Sequence, residues 1–206
     1  MHDLTPAELR VLGSLLEKQR TTPDAYPLSL NSLRLACNQS TNRDPVVDYD
    51  ETTIRDALQR LSKRRWTRLA SGHSSRAAKY RHLLDESLQV GREEQALLSV
   101  LMLRGPQTPG ELLARTERLY HFDGAGELHE VLERLIEREL VARLERRPGQ
   151  REERYAHLLG EDAEEVVAAG PADGGAPVGE DRLARVEREL EELRAEVAAL
   201  RASLGA

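Results

Sequence analysis

The 206-residue chain is 39% hydrophobic and 32% charged, a balance that suits a helix-rich globular protein better than a disordered one. Only 3% of residues are aromatic, so a core must be built from Leu, Val, Ile and Ala, and the longest nearly apolar run, Ala96 to Leu103, is far too short to span a bilayer. The net charge of −6 conceals a gradient, with +5 over residues 1–84, −4 over 85–160 and −7 over 161–206, so an anion-binding surface is expected in the first segment.

Thr5, Pro6 and Glu8 have the pattern of an N-cap, a first-turn proline and a capping-box partner, and Leu9, Leu12, Leu15 and Leu16 follow at helical spacing. A second helix is expected from Ser29 to Asn38, with Leu30, Leu33 and Cys37 inward. Asp50 caps a third, whose apolar stripe is Ile54, Leu58 and Leu61. After Trp66 the pattern turns β-like, over Thr67–Ser71 and Ala78–Leu83, with Gly72-His73-Ser74-Ser75 as the turn. Three helices and then a hairpin is the order of a winged helix-turn-helix.

The order then recurs. Residues 54–66 align with 128–140 at an offset of 74, Tyr80-Arg-His82-Leu-Leu84 with Tyr155-Ala-His157-Leu-Leu159 at 75, and Leu4–Leu16 with Val90–Met102 at 86. The second copy reads as helices over Glu93–Arg104, Thr108–Arg118 and Gly126–Leu140, then two strands around Arg147-Pro148-Gly149-Gln150. The expected fold is therefore mainly α with small β-hairpin wings. It comprises two tandem winged helix-turn-helix domains over 1–85 and 86–160, with the first copy about twelve residues longer between its opening and third helices.

Residues 161–180, rich in Ala, Gly, Pro and acid, read as a linker. Over 181–204, Leu183, Val186, Leu190, Leu193, Val197, Leu200 and Leu204 form an a/d heptad seam. In a parallel pair the flanking partners would be Arg182–Glu187, Glu189–Arg194 and Glu196–Arg201, all opposite in sign, which favours homodimerisation through this coiled coil. The alternative is a single amphipathic helix folded back on the body.

Leu15-Leu-Glu-Lys-Gln19, Thr21-Thr-Pro23, Tyr26-Pro-Leu-Ser-Leu-Asn31, Ala36-Cys-Asn-Gln39 and Asn42-Arg43-Asp44-Pro45-Val46 form one dense signature. With Arg104-Gly105 and Gln107-Thr-Pro-Gly-Glu-Leu112, it resembles the YceH-type proteins, a bacterial family of tandem winged helices whose role is unassigned. The resemblance covers about residues 4–159, implies the fold and a bacterial cytoplasmic setting, and carries over no catalytic residue. Taken residue by residue, the signature is structural: Pro23 and Pro27 stiffen the approach to the second helix, and Asn31, Asn38, Gln39 and Asn42 can satisfy backbone groups. A ligand or partner groove lined by Asn38, Gln39, Asn42 and Arg43 is the other reading.

A winged helix reads DNA with its third helix and touches phosphates with its wing. In the first copy Thr52, Asp56, Gln59 and Lys63 point outward, flanked by Arg55 and Arg60. Lys63, Arg64, Arg65, Arg68, Arg76, Lys79 and Arg81 then follow without an acid between them. The candidate contacts to double-stranded DNA are Arg55, Gln59, Arg60, Lys63, Arg64, Arg76 and Lys79. The same projection in the second copy turns Glu130, Glu133 and Glu137 outward, which would repel phosphate and suits a protein partner. Two functions follow: a DNA-binding or transcription-associated dimer using the first domain, or an architectural adaptor between proteins.

An enzyme is not expected. Cys37 lies on an inward stripe, His82 and His157 occupy repeated packing positions, and His121, Asp123 and His129 lack a recognised ligand spacing. Gly124-Ala-Gly126 lacks the strand and lysine of a phosphate loop. No cofactor, metal or membrane association is expected. The absence of a charged-then-apolar leader, together with the lone cysteine, points to the cytoplasm.

Overall fold

The computed structural model describes residues 2–70, 78–144, 146, 152–161, 163 and 167. These all fall within the compact unit Met1–Pro171. The heptad positions Leu183, Val186, Leu190, Leu193, Val197 and Leu200 lie outside the described residues, as does Arg76. The fold is mainly helical, with small antiparallel sheets.

Helix α1 (Pro6–Thr21) starts at the expected capping box: the Thr5 hydroxyl accepts from Glu8 N–H at 3.3 Å, and the Glu8 carboxylate accepts from Thr5 N–H at 2.9 Å. Strand β1 (Leu28–Ser29) leads directly into α2 (Leu30–Cys37), which Ser29 caps by accepting from Ser32 N–H at 3.2 Å. Helix α3 (Glu51–Lys63) starts at Asp50, whose carboxylate accepts from Thr53 N–H at 2.7 Å. Strands β2 (Thr67–Leu69) and β3 (Lys79–His82) follow, with Thr67 opposite His82 and Arg68 opposite Arg81. The sheet has three strands in the order β1-β3-β2, because Leu28 and Ser29 pair with Tyr80 and Lys79. The hairpin expected from sequence thus gains an edge strand. Its two residues are too few to leave a periodic signal.

A short helix α4 (Leu84–Ser87) joins the copies, and α5 (Arg92–Arg104), α6 (Pro109–Thr116), α7 (Ala125–Glu137), β4 (Val141–Leu144) and β5 (Arg154–His157) form the second. Its sheet has two strands, Val141 opposite His157 and Leu144 opposite Arg154.

The duplication extends to individual hydrogen bonds. Arg65 and Glu139 both enter the left-handed region, at φ 61° and 54°. The next amide in each copy reaches back into the helix at 2.9 Å, Trp66 N–H to Leu61 C=O and Leu140 N–H to Leu135 C=O. Leu83 N–H then meets Trp66 C=O at 2.7 Å, and Leu158 N–H meets Leu140 C=O at 2.9 Å. His82 and His157 each accept at Nδ1 from the amide two residues on, Leu84 at 3.3 Å and Leu159 at 3.4 Å. The two histidines repeat one role, fixing the turn that leaves the last strand.

The spacing of Leu9, Leu12, Leu15 and Leu16 makes α1 one-sided, but α1 and α5 are both buried on all sides through their middles, Glu8–Glu17 and Glu94–Leu103. The reason is that they pack on each other while also serving their own copies. A Cβ on Gly13 would lie 2.9 Å from Leu103 Cγ and 3.2 Å from Met102 Cβ, so only glycine allows this approach. The Ser99 hydroxyl donates to Gly13 C=O at 3.2 Å. Leu4 N–H to Leu159 C=O at 3.0 Å and Asp44 N–H to Leu103 C=O at 2.9 Å also tie the halves, and one hydrophobic core runs through both.

Candidate nucleic-acid interface

Ile54, Leu58 and Leu61 anchor α3 in the core, and the opposite side of the helix is solvent-exposed. That side presents Thr52, Arg55, Asp56, Gln59, Arg60 and Lys63, as the helical projection predicts. Arg55 approaches Glu51 at 3.8 Å on an exposed turn, a pairing of little consequence in water. Arg60 and Lys63 have no ion-pair partner among the described residues. Arg65 and Arg68 are exposed beyond them, and Lys79 is exposed on β3.

Two cations of the series are otherwise engaged. Arg64 donates to the Asp3 carboxylate at 2.6 Å, tying the end of α3 to the start of the chain and holding the Asp3 carboxyl below its ordinary range. Arg81 donates to Glu86 at 2.9 Å. Asp3 lies 61 residues before Arg64 and Glu86 sits on the following helix, so the projection of α3 alone does not reveal either pairing.

The corresponding face of α7 has the opposite sign. Glu130 and Glu137 are exposed, whereas Glu133 is half-buried, accepts from Arg143 of β4 and faces His129 at 3.6 Å. Arg143 also approaches Glu153 at 3.5 Å and lies over the Tyr155 ring, 5.8 Å from its centroid. One of the three carboxylates is therefore partly neutralised from the adjoining sheet. Arg134 turns to Glu93 at 3.3 Å.

The amide-rich signature folds around a guanidinium. Arg43 is buried and reaches both oxygens of Glu17, at 3.1 and 2.7 Å, together with Ala36 C=O, Gln39 and Asn42 C=O. Burial alone would raise the Glu17 carboxyl, but Arg43 and Lys18 outweigh it and hold it below its ordinary value. The Asn38 side chain closes the following loop, donating to Tyr49 C=O at 2.8 Å and accepting from Tyr49 N–H at 2.9 Å. Asn38, Gln39 and Arg43 are thus committed to holding α1, α2 and this loop together. Asn42 accepts from Arg104.

Burial pushes the Cys37 thiol up to about 11, which keeps it protonated and unreactive at neutral pH. His121 faces Glu117 at 2.8 Å while His129 faces Glu133, so these histidines serve separate carboxylates. Among the described residues no three His, Cys, Asp or Glu side chains are grouped to hold a metal ion. No described helix is long and apolar enough to cross a membrane.

The chain is a duplicated, mainly helical protein with one cationic and one anionic third-helix face. A family described as "Protein of unknown function, DUF480" matches residues 4–150. A UPF0502 protein of Azotobacter vinelandii is 52% identical over 164 residues, covering 79% of this chain and 73% of its own. One from Solibacter usitatus is 47% identical over 193 residues, 93% of each chain, and one from Azoarcus is 47% identical over 205 residues, 98% of this chain and 91% of its own. The chain belongs to this bacterial family of unassigned function, as its resemblance to the YceH-type proteins implies.

Proposed function

We propose that the chain is a non-enzymatic, DNA-binding or transcription-associated dimer built from two tandem winged helices, of which only the first meets the duplex. The element order of each copy, three helices and then a hairpin, supports the winged-helix reading. The matched end-caps of α3 and α7 support it further. The observation that carries the functional reading is the exposed, unneutralised pair Arg60 and Lys63 on α3, continued by Arg68 and Lys79 on the sheet. Gln59 shares the exposed face of α3 with them, a side chain able to bond a base edge. The heptad residues from Leu183 to Leu200 would supply the dimer contact, and the lone Cys37 agrees with a cytoplasmic setting.

The test is a titration of labelled duplex DNA at several salt concentrations, with the intact protein and with Arg60→Glu, Lys63→Glu, Arg76→Glu and Lys79→Glu combined. Micromolar binding is expected, with a log–log salt slope of about −3 to −4 for three or four phosphates neutralised. The folded variant should lose it. Affinity unchanged by the charge reversal would remove DNA from this face.

The second reading is an adaptor between proteins, favoured by the exposed Glu130 and Glu137 on α7. No duplex binding at low salt would transfer the function to that face, where Glu133 contributes least because Arg143 already engages it.

A further inference from the structure

Two arginines of α1 and its neighbouring loop are almost wholly buried, Arg10 at 4% exposure and Arg43 at 5%. A buried guanidinium away from a counter-charge is costly, so the acids around them have to be accounted for. Arg43 has taken both oxygens of Glu17. Of the other buried acids, Glu94 binds Arg138 at 3.1 Å, and Glu8 binds Thr5 through Oε2 while its Oε1 has no hydrogen-bond partner among the described residues. Arg10 has only backbone carbonyls, Cys37 C=O at 3.1 Å and Pro45 C=O at 2.6 Å, and no carboxylate at ion-pair distance among the described residues. Of the two guanidinium groups only Arg43 is therefore paired directly with a carboxylate, while the exposed Asp44 acts on Arg10 from beyond ion-pair distance. Burial lowers the Arg10 pKa and the Arg43 cation pushes it the same way, against smaller opposing effects of Tyr49, Cys37 and Asp44.

Arg10 also lines a cavity of about 210 Å³. One wall comes from the start of α1 and the loop between α2 and α3, through Leu9, Val47 and Tyr49, and the facing wall from the second copy, through Met102 and Pro106. The space is below the roughly 300–1,000 Å³ usual for drug-sized ligands, so it suits a smaller occupant. Asp44, exposed at the rim, would repel a second negative charge on the occupant.

We propose that this cavity binds a small organic monocarboxylate with an apolar body, aromatic or branched aliphatic, its carboxylate on Arg10 and its body between Leu9, Val47 and Met102. Such a ligand bridges the two copies, fastening the loop before α3 to the end of α5. Its binding is independent of the DNA reading.

Met102 makes the test direct, because the chain has only two methionines and the other is Met1. The full-length protein, labelled with ¹³C in its methionine methyl groups, is titrated with benzoate, with 3-methylbutanoate and with neutral benzamide. The Met102 signal should move saturably with both carboxylates while Met1 stays still, and benzamide should bind roughly tenfold more weakly or worse. Arg10→Met should abolish the preference for charge in a variant shown to be folded by circular dichroism. Should that variant not fold, Asp44→Asn decides: Asp44 is exposed and contributes its backbone N–H to Leu103, so the substitution spares the fold. It should tighten benzoate about two- to fivefold and leave benzamide unchanged. Equal affinity for benzoate and benzamide, no effect of Asp44→Asn, or no saturable Met102 shift at millimolar ligand would each overturn the proposal.

Discussion

Replacing Gly13 tests whether the two copies share one core, because this residue marks the crossing of α1 and α5. In an exposed helix, Gly→Ala stabilises by about 1 kcal/mol through reduced backbone entropy. At Gly13 the new methyl would sit 2.9 Å from Leu103 Cγ and 3.0 Å from its Cδ2, with Met102 Cβ at 3.2 Å on the other side. Cγ is a branch point and Met102 Cβ is fixed to the α5 backbone, so the helices must separate. Overpacking of this kind costs about 1–3 kcal/mol. Gly13→Ala should therefore lose about 1 kcal/mol net, and Gly13→Val, with a second branch and poorer helix propensity, about 2–3 kcal/mol. Urea unfolding followed by circular dichroism reads this as a fall in midpoint. Gly110 in α6 and Gly126 in α7 are internal controls, since nothing lies within 4 Å of a Cβ at either, and alanine there should be neutral or mildly stabilising. If Gly13→Val unfolds at the same or a higher urea concentration than the parent, α1 and α5 do not meet as described.

Arg43→Met should cost about 2–4 kcal/mol, because it leaves the buried Glu17 carboxylate with Lys18 as its sole cation among the described residues, and the further change Glu17→Gln should restore much of that loss; equal stability of single and double variants would contradict the pairing. His82 is held neutral, its pKa depressed from 6.5 to about 4, by burial first and by Arg81 and Arg20 less strongly, against the opposing pull of Asp85. The unfolded chain then takes up the proton before the folded one does, so this contribution is complete above pH 6.5 and is lost as pH falls toward 4, and His82→Gln should flatten the urea midpoint between pH 7 and pH 5. Tyr26→Phe removes the hydroxyl that accepts from His82 N–H at 2.8 Å and should cost about 1–3 kcal/mol by leaving that amide unpaired, with faster amide exchange at His82 as the specific sign.

The features legible in the sequence are those set by nearest neighbours. The cap residues Thr5 and Asp50 act on amides three positions away, and the stripe Ile54, Leu58 and Leu61 repeats at the helical period, so composition and spacing suffice to locate them. The exposed α3 face follows from the same stripe. The rest depends on partners distant along the chain. Glu17 and Arg43 stand 26 residues apart, Arg64 and Asp3 61, and nothing local distinguishes Arg43 from the surface arginines around it. Arg10 is the sharper case: helical spacing places it opposite the Leu9, Leu12, Leu15 and Leu16 stripe, on the face expected to meet water, and only the packing of the α2–α3 loop against α5 buries it beside a cavity.

The duplication separates what each copy has to keep from what it can change. The left-handed residues Arg65 and Glu139 differ in charge but share a backbone conformation, and their neighbours share hydrogen bonds within a few tenths of an ångström. These groups are internal and must be satisfied in any copy that folds. The outward faces carry no such requirement, and there Arg60 and Lys63 correspond at the repeat offset of 74 to Arg134 and Glu137. Arg134 is drawn onto Glu93, so the second face is left with the acid. Under the function proposed above, the two faces would meet different partners, and charge reversal of α3 and of α7 in separate variants should then give two independent losses of binding, whereas no loss from either would contradict that reading.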